Sequence, residues 1–319
     1  MPDEQIALRS KERRQTLIGV ALIIGTVACF AALDASAKWV NQTTDPLQTA
    51  SVRYLGSFLL VSFFLNPFSR RGILKTQSLK LQCGRALCLT IATFCNFAAL
   101  RYLPLTEATS INFASPLIVT LIAGPLLGEW IGIRQIGAVV VGFIGVLVIT
   151  RPGGEGIHPA ALLSLITAGS NALYVVTTRL LTARDTPETT MFYTGFVGSI
   201  LALPILFFVW TTPTDPRVWA AMAATVVFGS LGHWLLILAH RFAPASTLAP
   251  FFYVQLVWVA LVGFMIFGEV PDGWTLIGGT IVIASGLYLL YQGRVKPTDP
   301  AANGDAAKPN ETRLGTRRE

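Results

Sequence analysis

Long apolar stretches separated by short polar breaks run along almost the whole chain. A bilayer core about 30 Å thick takes about 20 apolar residues of helix to cross. On that measure the pattern predicts ten spanning helices, over 16–40, 47–65, 85–102, 106–128, 131–150, 158–182, 188–210, 217–240, 245–268 and 273–292. The first stretch is too long for a signal-peptide core, lacks an A-x-A exit, and is followed by nine more, so it counts as a span. The breaks are too short to hold a soluble domain. Residues 1–15 form a polar N-terminal tail. Residues 293–319, with Pro, Ala and charge of both signs, form a tail expected to be disordered.

Composition supports the pattern. Of 319 residues 53% are apolar and only 13% charged, against roughly 25% charged in a soluble domain. That excludes a disordered chain and a water-soluble globule. The formal charge of +7 invites a nucleic-acid reading until the basic residues are placed. With the N-terminus cytoplasmic, nineteen of the 24 Lys and Arg fall in inside segments. Three (Arg101, Arg151 and Arg217) fall outside, and Lys38 and Arg53 lie within spans. This is the positive-inside bias of a multi-pass membrane protein, and it explains the charge without nucleic acid. Ten spans then leave both termini cytoplasmic. The four cysteines, Cys29, Cys83, Cys88 and Cys95, show no CxxC spacing and no nearby His, so neither a disulfide framework nor a metal site nor any cofactor is expected.

The chain also repeats itself. A shift of 140 residues lays Arg101-Tyr102-Leu103-Pro104 on Arg241-Phe242-Ala243-Pro244, Gly128-Glu129 on Gly268-Glu269, and Ala32-Leu33 on Ala172-Leu173. One further residue of offset puts Gly137 and Gly145 on Gly278 and Gly286. The halves, 16–150 and 158–292, hold five spans each. Five is odd, so they insert with opposite orientation. The expected fold is all-α and membrane-integral: ten transmembrane helices built as an inverted 5+5 repeat. In such plans the ligand site lies at the repeat interface near the bilayer midplane.

The stretch RYLPLTEATSINFASPLIVTLIAGPLLGEWIGIRQIGAVVVGFIGVLVITRPGG, with its P-L-x-x-A-x-x-x-x-x-x-P run and terminal Gly-Glu, resembles the EamA-type half-repeat of the drug/metabolite transporter superfamily. RFAPASTLAPFFYVQLVWVALVGFMIFGEVPDGWTLIGG is similar to the second such repeat, and FAALDASAKWV resembles the first helix of bacterial members. The resemblance covers about 16–292. It implies a bacterial inner-membrane protein with a central cavity lined by spans 1, 3, 4, 6, 8 and 9, and spans 5 and 10 as outer support. Related members include amino-acid and drug exporters, riboflavin importers and S-adenosylmethionine carriers.

Polar groups inside a membrane are costly and each needs an account. Asp34 lies about 27 Å along span 1 and Arg53 about 9 Å into span 2. Lys38 follows Asp34 at i+4. The three form either an interfacial ion-pair cluster or, through Asp34 or Arg53, a substrate or proton contact. In the second half, Asn171 and Gln255 fall about 15 Å from the inner ends, with Tyr174, Tyr253 and His233 at about 12 Å. Trp258 shares a face with Gln255. Asn96 and Asn112 lie about 9 Å below the outer surface. Together these outline an aromatic, amide-lined pocket suited to a zwitterion or a flat heteroaromatic solute. Helix–helix hydrogen bonding is the competing reading for the amides, and a structural donor role for His233.

Glu129 and Glu269 close spans 4 and 9 and read as structural corners, each favourable to the N-terminus of the next helix. Pro104 and Pro244 start spans 4 and 9, and Pro116 and Pro250 kink or break them. The glycines of spans 5 and 10 permit close helix approach within the subunit or across a homodimer. No Walker A motif occurs, and Gly153-Gly154-x-Gly156 reads as a turn. His158, His233 and His240 have no ligand spacing. The leading function is therefore a secondary transporter of a small organic solute, working in a lipid bilayer by alternating access, with riboflavin, S-adenosylmethionine and aromatic amino acids as first candidates. An intramembrane enzyme lacks the clustered acids or ligands it would need. A receptor or scaffold leaves the inverted repeat unexplained.

Overall fold

A computed structural model of the protein describes residues 2–65, 71–127, 132–150, 158–182, 184–242 and 248–295. Their elements are α1 (Pro2–Val40), α2 (Pro46–Leu65), a 3-10 turn (Arg71–Leu74), α3 (Leu79–Leu100), α4 (Leu105–Asn112), α5 (Ser115–Leu127), α6 (Ile133–Thr150), α7 (Pro159–Thr182), α8 (Pro187–Val209), α9 (Pro216–Phe242), a 3-10 run (Ala249–Val254), α10 (Gln255–Phe267) and α11 (Gly273–Val295). No strand occurs among the described residues. Among the described residues eight helices are long and apolar enough to cross a bilayer, and Phe251–Phe267 is a shorter apolar helix. The twenty residues of α2 complete the ten crossings. A helix satisfies its backbone internally, which a membrane demands of every crossing segment.

The helix pairs report the repeat. α1 packs on α9, α3 on α7, α2 on α8, and α6 on α11. Exchanging the two halves turns the α1/α9 pair into α7/α3 and maps α2/α8 and α6/α11 onto themselves. That is the signature of two inverted halves related by a pseudo-two-fold. The α6/α11 contact depends on glycine. A Cβ on Gly278 would lie 2.5 Å from the Gly145 carbonyl oxygen, and one on Gly145 would lie 2.9 Å from that of Gly278. The glycine stripe is therefore used within the subunit. The opposite face of α6 exposes Ile133, Val140, Val141, Ile144 and Leu147, as expected of a helix that borders lipid.

The fourth and ninth crossings are both broken. α4 ends at Asn112, Phe113 and Ala114 interrupt it, and α5 restarts at Ser115. Pro116 falls in the first turn of α5, where its missing N–H costs nothing, so it opens a new helix instead of kinking a continuous one. In the other half the chain runs as 3-10 helix from Ala249 to Val254 before α10 begins. Irregular backbone at membrane depth is tolerated where it lines a cavity, and both breaks do so.

Candidate functional site

The two breaks meet at a cavity of about 250 Å³. Its polar wall comprises Asp34 from α1, Arg53 from α2, Asn96 from α3, Asn112 from the end of α4, Asn171 from α7, His233 from α9 and Gln255 from the start of α10. Phe30, Phe97, Phe113 and Phe252 supply aromatic surface. Three of these side chains are chained together. Asn96 Nδ2 donates to Asp34 Oδ1 at 3.0 Å, and Asn112 Nδ2 donates to Asn96 Oδ1 at 3.0 Å. With the Asn96 nitrogen turned to the carboxyl oxygen of Asp34, the Asn96 oxygen is left to accept from Asn112. Arg53, only 4% exposed, donates to Thr93 Oγ1 at 2.9 Å and lies 4.4 Å from the Tyr54 ring centre. It has no carboxylate within ion-pair distance among the described residues.

Lys38 does not pair with Asp34. Its Nζ lies 2.6 Å from Glu269 Oε1 and donates to the Leu103 carbonyl at 2.5 Å. Glu269 Oε2 accepts the Leu105 N–H at 3.1 Å. Leu105 opens α4, so its amide is one of the donors a helix start leaves unsatisfied, and the positive end of the helix favours a carboxylate there. Pro104, at the N-cap position with ψ 147°, turns the chain into that helix. Gly268 makes the approach from the other half possible. At φ 68° it closes α10 in the left-handed region, open to glycine at little cost. Glu269 thus serves a helix of the opposite repeat, not the following helix. The start of α11 is capped by Asp272, whose Oδ1 accepts the Thr275 N–H at 2.8 Å. The counterparts Glu129 and Pro244 lie outside the described residues.

Tyr174 stands apart from the amide wall. It lines a neighbouring cavity of about 450 Å³ together with Tyr54, Arg85, Thr178, Asp185, Thr194 and Ser230. Arg53 and His233 line both cavities. Arg85 was hidden in the sequence because the apolar pattern starts the third span only there. α3 in fact begins at Leu79, so Arg85 is well inside the helix and 6% exposed. Spans 2 and 7, expected outside the lining set, contribute Arg53 and Tyr54 of α2 and Thr190 and Thr194 of α8.

Tyr253 and Trp258 line neither cavity. A 3-10 helix has three residues per turn, so Phe252 and Gln255 share the cavity face and Tyr253 is turned off it. The Tyr253 ring packs on Phe113 at 5.1 Å, and its hydroxyl occupies the place a Cβ on Gly286 would need. Trp258 follows Gln255 by one turn of α10, and its side chain, partly buried, packs against the main core. At the end of the bundle where α1 begins, the loop before α8 is tied to the loop before α3. Asp185 accepts from Thr76 Oγ1 at 2.5 Å, from the Gln77 N–H at 3.0 Å and from Gln82 Nε2 at 2.9 Å. Burial pushes the Asp185 carboxyl up, but those three bonds and the charge of Arg184 outweigh it and hold the group below the usual carboxylate range.

Ten crossings in two inverted halves, with a charged and amide-rich cavity between them, define a multi-pass membrane transporter. The chain belongs to the EamA-like transporter family, whose sequence profile matches residues 17–151 and again 158–292. It is similar to an S-adenosylmethionine uptake transporter of Rickettsia bellii, 26% identical over 86% of this chain and 94% of the relative. A riboflavin transporter of Vibrio cholerae is 27% identical over 87% and 94%. A pseudopaline exporter of Pseudomonas aeruginosa is 26% identical over 85% and 95%. A solved crystal structure shares the fold with a TM-score of 0.61 at 17% identity, over 89% of this chain and 99% of its own. The protein is thus a transporter and not an enzyme.

Proposed function

We propose that this transporter carries a zwitterionic, partly aromatic metabolite of the S-adenosylmethionine type by alternating access. The observation that carries the reading is the pair Asp34 and Arg53. Both line one cavity wall, one an acid and the other a base, and they are not in ion-pair contact with each other. A solute bearing both a cationic and an anionic group satisfies the two at once. S-adenosylmethionine offers a sulfonium and an ammonium to Asp34, a carboxylate to Arg53, and a flat adenine to Phe30, Phe97, Phe113 and Phe252. Asn112, Asn171 and Gln255 supply hydrogen bonds between these ends. Riboflavin would use the aromatic surface but leave both charges unanswered. His233, on the boundary of the two cavities, is the further candidate contact.

The membrane assignment belongs to the same reading. The nineteen-to-three division of basic residues supports a cytoplasmic side for the end where α1 begins and for both termini, and the bacterial relatives support an inner-membrane location. The apolar outer faces meet lipid. Gly137, with open space around it, is the part of the α6 surface left for a homodimer. The test is a thermal-shift titration of the purified chain with S-adenosylmethionine, S-adenosylhomocysteine, which lacks the sulfonium, and riboflavin. A ligand at 100 times its Kd stabilises by about 2.7 kcal/mol. S-adenosylmethionine should stabilise most, and Asp34→Asn should erase its advantage over S-adenosylhomocysteine. Stabilisation by riboflavin alone, or wild-type binding by both Asp34→Asn and Arg53→Gln, would refute the reading.

A further inference from the structure

We propose that Arg85, with the hydroxyl of Tyr174, forms an oxyanion station: a second binding site that receives the solute's carboxylate between the amide-lined cavity and the bundle end where α1 begins. The existence of the site follows from the geometry. Only the identity of the carboxylate rests on the zwitterion reading above.

The guanidinium is fixed but not neutralised. Nε donates to Thr178 Oγ1 at 2.6 Å, Nη1 to Thr194 Oγ1 at 2.5 Å and to the Thr190 carbonyl at 3.5 Å, and Nη2 to the Tyr174 hydroxyl at 2.7 Å. The Tyr174 ring lies 4.3 Å from the guanidinium carbon. Every one of these partners is neutral, and no carboxylate lies within ion-pair distance among the described residues. Asp185 lines the same cavity, but its oxygens are taken by Thr76, Gln77 and Gln82. A buried guanidinium inside a membrane bundle is costly unless an anion or water answers its charge. Four of its five N–H groups are used. The fifth, on Nη2, and the hydroxyl proton of Tyr174 have no acceptor among the described residues. Both lie at the cavity wall, side by side on one pair of atoms joined at 2.7 Å. Two adjacent donors beside a positive charge match the two oxygens of a carboxylate.

The position gives the site a use. Arg53 lines both cavities, so the larger one holds two arginines, one of them shared with the amide cavity. A solute leaving the amide cavity meets Arg85 as its carboxylate leaves Arg53, which avoids stranding the anion in a low-dielectric passage. A purely structural role for Arg85, as a staple between α3, α7 and α8, would use the same hydroxyls but would not require the cavity beside them.

The experiment uses the purified full-length chain and benzoate as probe, with benzamide as the neutral control. Wild type should prefer benzoate by about tenfold or more in Kd, the scale of one charge-assisted contact. In an Arg53→Gln background, where the other arginine no longer answers the anion, the preference should persist and Arg85→Gln should reduce it to about one, with Asp34→Asn leaving it intact. Loss of the zwitterion reading alone would show as unchanged benzoate binding with no S-adenosylmethionine effect. Should Arg85→Gln fail to fold, Tyr174→Phe removes one of the two free donors and should weaken benzoate by about threefold to tenfold. Benzoate preference that survives Arg85→Gln in the Arg53→Gln background, that vanishes in Arg53→Gln alone, or that is untouched by Tyr174→Phe in that background overturns the site. Inorganic phosphate that displaces benzoate more tightly than benzoate binds would assign the station to an inorganic anion and overturn the solute-carboxylate role.

Discussion

Glu269 joins the two repeats at a single corner, and its removal has a calculable cost. The carboxylate holds Lys38 of α1 at 2.6 Å and the Leu105 N–H at 3.1 Å, and the two charged side chains are 11% and 22% exposed. Breaking a buried pair by deleting one partner costs about 3–5 kcal/mol, because the other charge remains uncompensated. The partial exposure and the Leu103 carbonyl that Lys38 keeps place Glu269→Ala near the lower end, at about 3 kcal/mol. Glu269→Gln retains an acceptor for Leu105 and should cost about 2 kcal/mol. Lys38→Met should cost less, since the carboxylate keeps the α4 amide and the helix N-terminus. The double variant Lys38→Met, Glu269→Gln buries no orphaned charge and should recover most of the loss, giving a coupling energy of about 2 kcal/mol. Equilibrium unfolding of the four proteins in mixed micelles measures that cycle. A coupling below about 0.5 kcal/mol would show that the pair contributes no more than an exposed one. Recovery in Asp34→Asn, Lys38→Met instead would show that Lys38 serves its own helix neighbour.

In a cysteine-free background, single cysteines at Thr43, Thr214 and Asp272 should react with an impermeant thiol reagent added outside the cell, and one at Lys75 should not; outside labelling at Lys75 would reverse the orientation. Asp185 has a depressed folded carboxyl, so its contribution is complete above the ordinary carboxylate pKa and fades as pH falls through the lower folded value. Asp185→Asn should therefore lower the melting temperature at pH 7 and converge with wild type in acid; a constant gap across that range would assign the effect to packing. Gly278→Val places carbon against the Gly145 carbonyl, 2.5 Å from an added Cβ, and should abolish monodisperse yield. Gly137→Ala, with open space around it, should leave yield unchanged.

The two halves and their ten crossings were legible in the chain because the bilayer imposes one rule on every segment. An apolar run about 20 residues long must be a helix, whatever its neighbours are. The repeat was legible for a similar reason, since Pro104 and Gly268-Glu269 mark helix ends wherever they occur. Asn96, Asn112, Asn171, His233 and Gln255, which line one cavity, stood out in the sequence because a polar side chain at membrane depth is conspicuous against its surroundings. Which of these polar groups meet was decided only by tertiary structure. Asp34 and Lys38 are one turn apart, yet the first turns to Asn96 and the second to Glu269, more than two hundred residues away. Arg85 looked like a loop charge until α3 was seen to start at Leu79. Tyr253 and Trp258, placed with the pocket by depth and helix face, line neither cavity: the ring of one packs on Phe113 and the other packs against the core. Periodicity specifies the face of one helix. The partner that face meets depends on the packing of all ten, which no local pattern carries.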